Sequence, residues 1–272
     1  MQIISVYSNS LNSGRKTIAM ALGQQAAKNN QRTLLVELDY LNTGIAHTYG
    51  ITNSTKNAEG YFSNVFKQKD FNLGNFILTK KHFEVINKDL SKAHTAINSD
   101  LEFLIFSDEY RPALFPTIND FSTEKISRDC KRFFEELRLS EYDLVILLLP
   151  TDYEDMFTIP MILESDHIIN VVGFSLCSVE EAKRISTIFD TETLQKMKYV
   201  LNLTTRKIEK ADYDHLMKPL NLLQVIPFDE QRLLNEVNAE IGSPTIDSAA
   251  LSLLQHCGVD VADQKRSIFS RR

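Results

Sequence analysis

The chain has 272 residues, 43% of them hydrophobic and 24% charged, with a net charge of −6. That length buries a sizeable core, as one large α/β domain or two small ones, and the composition excludes disordered and fibrous classes. The acidic balance counts against bulk attraction to nucleic acid, so DNA is not an expected partner.

Cys130, Cys177 and Cys257 are far apart, without metal-type spacing, and are read as reduced cysteines packed as small hydrophobes. The six dispersed histidines suggest no metal site or catalytic constellation. No signal-peptide pattern is seen, because a strand is expected from residue 2. The longest apolar run, Leu144–Leu149, falls well short of the ~20 residues of a membrane-spanning helix. The expectation is a soluble, cytoplasmic protein whose membrane contact, if any, is peripheral.

In chain order, apolar runs predict strands at Gln2–Tyr7, Thr33–Leu38, Leu101–Phe106, Leu144–Leu149, His167–Gly173, Lys198–Leu203 and Leu222–Ile226. Between and after them, helices are predicted at Thr17–Asn30, Thr123–Leu139, Val179–Phe189, Ala211–Leu216, Glu230–Glu240 and Ser248–Cys257. Ser178 and Glu181 have capping-box spacing at the third of these. Residues 52–100 are the least regular, with a helical fragment at Tyr61–Lys67, and read as a surface excursion. The alternation predicts a three-layer, Rossmann-like α/β fold. Its mainly parallel, twisted sheet of seven or eight strands carries helices on both faces.

Ligands of such sheets bind at the carboxyl ends of the strands. The segment Ser8–Thr17 falls there, between the first strand and first helix, where a phosphate-binding loop of pattern G-x-x-x-x-G-K-[ST] belongs. Such loops wrap phosphate with backbone N–H groups at a helix N-terminus, which requires small residues and a lysine counter-charge. Here Gly14 is the only glycine.

Several segments together resemble the MinD/ParA group of deviant P-loop ATPases, and most nearly its divergent CpaE/TadZ pilus-assembly branch. Gly14-Arg-Lys-Thr-Ile-Ala-Met-Ala-Leu22 resembles the group's GKTTxAxNL, and Thr33-Leu-Leu-Val-Glu-Leu-Asp39 its vLLiDlD. Tyr142–Pro150 resembles YDyiiiDtP. Asp166–Val172 with Ser178–Arg184 resembles aDeviiVttP followed by Slrdakr. Tyr199–Asn202 is similar to lvlNr, and Val225–Asp229 to viPyD. The resemblance spans roughly 1–260 as a single domain and leaves a basic tail at 261–272.

The resemblance implies a nucleotide site made of Ser10, Ser13, Gly14, Arg15, Lys16, Thr17, Asn202 and Pro227. By the same resemblance Asp39 holds the position of a carboxylate near the attacking water, and is catalytic only if the protein is active. With Gly14 as the last loop glycine, Arg15 takes the place of the phosphate lysine and Lys16 that of the magnesium-binding hydroxyl. Ser10 then replaces the lysine that reaches across the dimer. Shifted by one residue, Lys16 and Thr17 restore the lysine–hydroxyl pair but Arg15 stands where glycine is needed. Side chains at 11, 12 and 13 obstruct close approach of phosphate. The strand ending Leu147-Leu-Leu149 lacks the aspartate of the resembled pattern, and Asp152, Glu154 and Asp155 downstream read as a solvated acidic loop. ATP is the one cofactor candidate; the altered loop counts against it and against Mg²⁺.

The tail carries Lys265, Arg266, Ile268 and Phe269, a composition broadly like that of a membrane-targeting helix. A frayed soluble tail is the alternative reading. The function expected is a pseudo-ATPase: a homodimeric, non-catalytic localisation or assembly scaffold for a membrane-associated machine of pilus, secretion or cell-division type. It would act through protein partners at the inner face of the cell membrane. The alternative is an atypical ATP-binding ATPase with a dimerisation switch and slow hydrolysis.

Overall fold

A computed structural model describes residues 1–67, 72–85, 91–116, 120–205, 210–238 and 240–262. The tail residues Lys265, Arg266, Ile268 and Phe269 lie outside the described residues. The strands are β1 (Gln2–Tyr7), β2 (Thr33–Glu37), β3 (Ile51–Thr52), β4 (Glu84–Val85), β5 (Leu101–Leu104), β6 (Leu144–Leu148), β7 (His167–Gly173), β8 (Met197–Thr204) and β9 (Leu222–Pro227). The helices of the first half are α1 (Arg15–Lys28), α2 (Ile45–Tyr49), α3 (Ala58–Phe66), α4 (Ser91–Ala96) and α5 (Thr123–Leu139). Those of the second half are α6 (Thr158–Glu164), α7 (Leu176–Ser186), α8 (Thr191–Lys196), α9 (Lys210–Met217), α10 (Glu230–Val237) and α11 (Pro244–His256).

Among the described residues, seven strands form one parallel sheet in the order β5-β2-β6-β1-β7-β8-β9. β3 and β4 make a separate antiparallel pair. Successive residues of a strand serve opposite faces. Ile3, Leu34 and Leu147 therefore join the core under α3, α5, α6, α7 and α9, whereas Ile4, Leu35 and Leu148 join the core under α1, α2 and α11. Burial on both faces explains why these strands are continuous Val/Ile/Leu runs rather than alternating ones.

Residues 52–100 are not the surface excursion expected. Tyr61 and Phe62 of α3 are fully buried, and Phe103 of β5 exchanges backbone hydrogen bonds with Leu78. The Tyr61 and Phe62 rings pack edge-on to each other and against Phe133, at centroid distances of 5.7 and 5.5 Å to that ring. Aromatic burial of this size outweighs the absence of regular periodicity. The Ser178–Glu181 capping box is also corrected. Ser175 caps α7 by accepting from the Ser178 N–H at 3.1 Å, so the helix opens a turn earlier than its apolar pattern suggests. Cys130 and Cys257 are buried as expected, but Cys177 is exposed.

α5 buries Ile126, Cys130, Phe133, Phe134 and Leu137, a spacing that keeps one stripe on the sheet. Phe133→Ala, which deletes a ring held on several sides, is expected to cost about 3–5 kcal/mol in chemical denaturation. A loss under about 1 kcal/mol would mean that this aromatic cluster does not hold α3 and α5 to the sheet.

Candidate functional site

The site begins where β1 ends. Ser8 is buried, its hydroxyl donates to the Ser10 carbonyl at 3.1 Å and accepts from the Ser10 N–H at 3.2 Å, and this curls the chain back on itself. Two residues of the loop are left-handed: Asn12 (φ 59°) and Gly14 (φ 84°). Asparagine is among the few side chains tolerated there, so Asn12 does a glycine's backbone work. Gly14 has a second constraint. A Cβ there would lie 2.3 Å from Asn202 Nδ2, which donates to the Ser13 carbonyl at 2.7 Å. Asn202, near the end of β8, thus braces the loop from across the sheet. Helix α1 opens at Arg15 with Gly14 as its N-cap.

Arg15 does not point into the loop's concavity. It is buried, donates to the Leu149 carbonyl beyond the end of β6 at 2.5 Å, and forms an ion pair with Asp39, which is fully buried beyond β2. Burial pushes the guanidinium's pKa down, and the neighbouring Asp39 charge works against that shift. The end of β6 brings no carboxylate; Leu147, Leu148 and Leu149 are all buried.

Lys16 is partly buried over Gly44, where an added Cβ would meet its Nζ at 2.9 Å. Beneath it lies Glu37 at the end of β2. One carboxylate oxygen, Oε1, accepts from the Gly44 and Ile45 N–H groups at 3.0 and 3.3 Å; the other, Oε2, has no partner among the described residues. Burial pushes the Glu37 carboxyl up to about 7, against the opposing pull of Lys16 and the two N–H donors. Thr17 faces α10, its hydroxyl accepting from Arg232 at 2.8 Å, and Arg232 also pairs with Glu236. Asp229 caps α10, accepting from the N–H groups of Gln231 and Arg232, and takes a 2.5 Å bond from the Ser243 hydroxyl.

These elements surround a cleft of about 630 Å³. Ser13, Gly14, Arg15, Lys16, Thr17, Asn202 and Pro227 all line it. Ser10 is not in the lining; its hydroxyl faces Gly173 at the end of β7. Asp39 is not in the lining either and sits behind Arg15. The sequence reading missed Arg232 and Glu236, which line the cleft, although the helix that carries them was expected at Glu230–Glu240; Phe228, set beside Pro227 by the resemblance, lines it too. Downstream of β6, Asp152 and Glu154 are exposed as expected. Asp155 is half-buried, accepts from the Phe157 N–H at 3.0 Å, and is pushed up to about 6 by burial. Among the described residues no cluster of His, Cys, Asp and Glu could hold a metal ion, and no helix is long and apolar enough to cross a membrane.

The fold is that of the MinD/ParA P-loop ATPases. The chain is similar to a plasmid partition protein of Borrelia burgdorferi B31 bound to AMPPNP, at 16% identity and TM-score 0.69, covering 93% of this chain and 97% of that one. It is similar to the MinC:MinD cell division protein complex of Aquifex aeolicus at 14% identity and TM-score 0.66, covering 97% and 99%. It is also similar to the septum site-determining protein MinD of Pyrococcus horikoshii OT3 complexed with Mg-ADP, at 13% identity and TM-score 0.66, covering 100% and 99%. No protein-family model and no curated protein matches the chain.

Glu37 gives the site a pH signature. Its ordinary value is near 4.5 and its folded value about 7, so between these the folded state holds a proton that the unfolded state has released. Stability falls as pH rises through that window and levels off above it, by on the order of 3 kcal/mol from this group. Glu37→Gln is expected to remove the decline and to be the more stable protein at pH 8 in urea titrations. Parallel pH–stability curves for the two proteins would contradict the buried, half-satisfied carboxyl.

Proposed function

We propose that the protein is a non-catalytic MinD/ParA-like scaffold that positions or assembles a membrane-associated machine through protein partners, akin to the CpaE/TadZ branch. The observation that carries this reading is the inward turn of Arg15. The cation at the phosphate-lysine position and the carboxylate at the water-positioning place neutralise each other in a buried pair. A cation spent on an internal carboxylate adds little to phosphate binding. Moving Arg15 out would leave Asp39 buried and unpaired, which costs several kcal/mol.

The residues present also fit Mg²⁺ poorly. The metal favours oxygen ligands in near-ideal octahedral geometry. In this site an ammonium, Lys16, stands where the resemblance puts the liganding hydroxyl. Thr17 is engaged by Arg232, Asp39 by Arg15, and β6 ends in leucines. Positioning and charge stabilisation are what phosphoryl transfer requires, so this site is unsuited to turnover. The MinC:MinD complex among the similar structures supports a role through protein contacts.

One observation favours the second reading, an atypical nucleotide-binding protein. Helix α1 opens beside the cleft with no acid in its first turn, an arrangement that suits an anion, and two of the similar structures hold AMPPNP and Mg-ADP.

Calorimetric titration with ATP and ADP, with and without Mg²⁺, together with a phosphate-release assay, separates the two. The scaffold reading predicts no magnesium-dependent gain in ATP affinity and no turnover above the protein-free rate. Turnover that disappears in Asp39→Ala would overturn it.

A further inference from the structure

A second cavity, of about 1230 Å³, opens beyond the carboxyl end of the edge strand β5, between α3, the β3–β4 pair and the chain that follows β5. It shares none of its described lining with the cleft at α1. Part of its wall is aromatic: Phe66, Phe115 and Phe121. Phe115 is buried and stacks on Tyr40 at a centroid distance of 4.6 Å, which fixes the wall to the core. Phe66 and Phe121 already hold the Lys125 ammonium at 5.5 and 4.4 Å from their ring centres, so these rings suit a cation.

Glu59, Glu84, Asp108 and Glu109 line the same cavity, and among the described residues none of the four forms an ion pair. Neutral donors hold three of them: Ser107 for Glu59, the Thr52 hydroxyl at 2.7 Å for Asp108, and the Asn53 amide at 3.1 Å for Glu84. Their positions are fixed while their charge is left uncancelled. Lys67 and Arg111 also line the cavity and pair with none of them. On α7 and α8, by contrast, Glu180, Glu181 and Glu192 each pair with a lysine or arginine of their own helix. Tyr110 completes the lining, and its buried hydroxyl has no hydrogen-bond partner among the described residues.

Size and charge select the occupant. Small-molecule sites run to about 1,000 Å³, and here the carboxylates come from α3, β4 and the chain after β5, so an occupant that meets them all is extended. Unpaired carboxylates repel anionic lipid and nucleic acid, and a second copy of the chain carries a net charge of −6. A basic peptide with aromatic side chains has the complementary charge and the matching apolar surface, the Arg-and-aromatic chemistry that dominates protein interfaces.

We propose that this cavity docks a basic, aromatic-bearing segment of a partner protein. Its Arg or Lys side chains meet Glu59, Glu84 and Asp108, and an aromatic side chain lies against Phe115 and Phe121. The proposal rests on the reading of the protein as a scaffold that acts through partners, and it names the chemistry of one of them.

The test titrates the full chain into a fluorescein-labelled peptide of alternating Arg and Phe, followed by fluorescence anisotropy. Saturable binding is expected at about 1–100 μM, weakening as salt is raised. Glu84→Lys with Glu109→Lys, both at exposed positions, is expected to weaken binding at least about tenfold. Glu180→Lys with Glu192→Lys makes the same charge change elsewhere and is expected to alter it less than about twofold. A peptide with Gly in place of each Phe is expected to bind about tenfold more weakly.

Docking here is overturned by absence of saturable binding at about 1 mM protein, or by equal loss in the two double variants, which would mean bulk attraction to an acidic protein. It is also overturned if the Gly peptide binds as well as the Phe peptide, or if spermidine displaces the peptide at equal concentration, which would assign the cavity to a small polycation. In each of these cases the scaffold reading stands and only the docking site falls. Magnesium-dependent ATP turnover would sink the scaffold reading and leave a measured peptide site in place.

Discussion

The buried contact among Arg15, Asp39 and the Leu149 carbonyl ties together the three elements that make the site: the start of α1, the chain beyond β2 and the end of β6. Removing a guanidinium and a carboxylate from water is expensive, and their attraction repays the cost only with good geometry and further hydrogen bonds. Arg15 has the second bond in the Leu149 carbonyl. Once this pair forms, the loop's leading cation belongs to the protein interior, and Lys16 and the Arg232–Glu236 pair remain around the cleft.

The rest of the loop is consistent with that arrangement. With Gly14 as its one glycine, the loop reaches the left-handed region at Asn12 and Gly14. Asn202 holds the Ser13 carbonyl and forbids any side chain at position 14. Leu11 and Asn12, expected to obstruct the loop, are exposed to solvent.

The frame was largely legible in the sequence because strands buried on both faces leave an unmistakable trace. β1 and β7 fall on the predicted residues, and α5 does as well, since Ser122 accepts from the Lys125 N–H and fixes its start. Short elements were not legible. α2 has five residues, too few to show a period, and the aromatics of α3 are buried by contacts with α5, remote in sequence. The site divided in the same way. Which residues line the cleft followed from their place at the strand ends and the start of α1, Ser10 and Asp39 excepted. Where Arg15 points did not, because that is decided by a carboxylate and a carbonyl brought in by two other strands. Arg232 escaped notice because only the folded chain brings α10 to Thr17.

The most direct test of the account is a double-mutant cycle on Arg15 and Asp39 in the absence of nucleotide, with Arg15→Met, Asp39→Leu and the pair compared by chemical denaturation. A buried, bonded pair predicts that either single change is strongly destabilising and that the double change recovers much of the loss, with a coupling energy above about 2 kcal/mol. Additive effects, with coupling near zero, would mean that Arg15 stands free in the cleft and that its charge is available to phosphate after all.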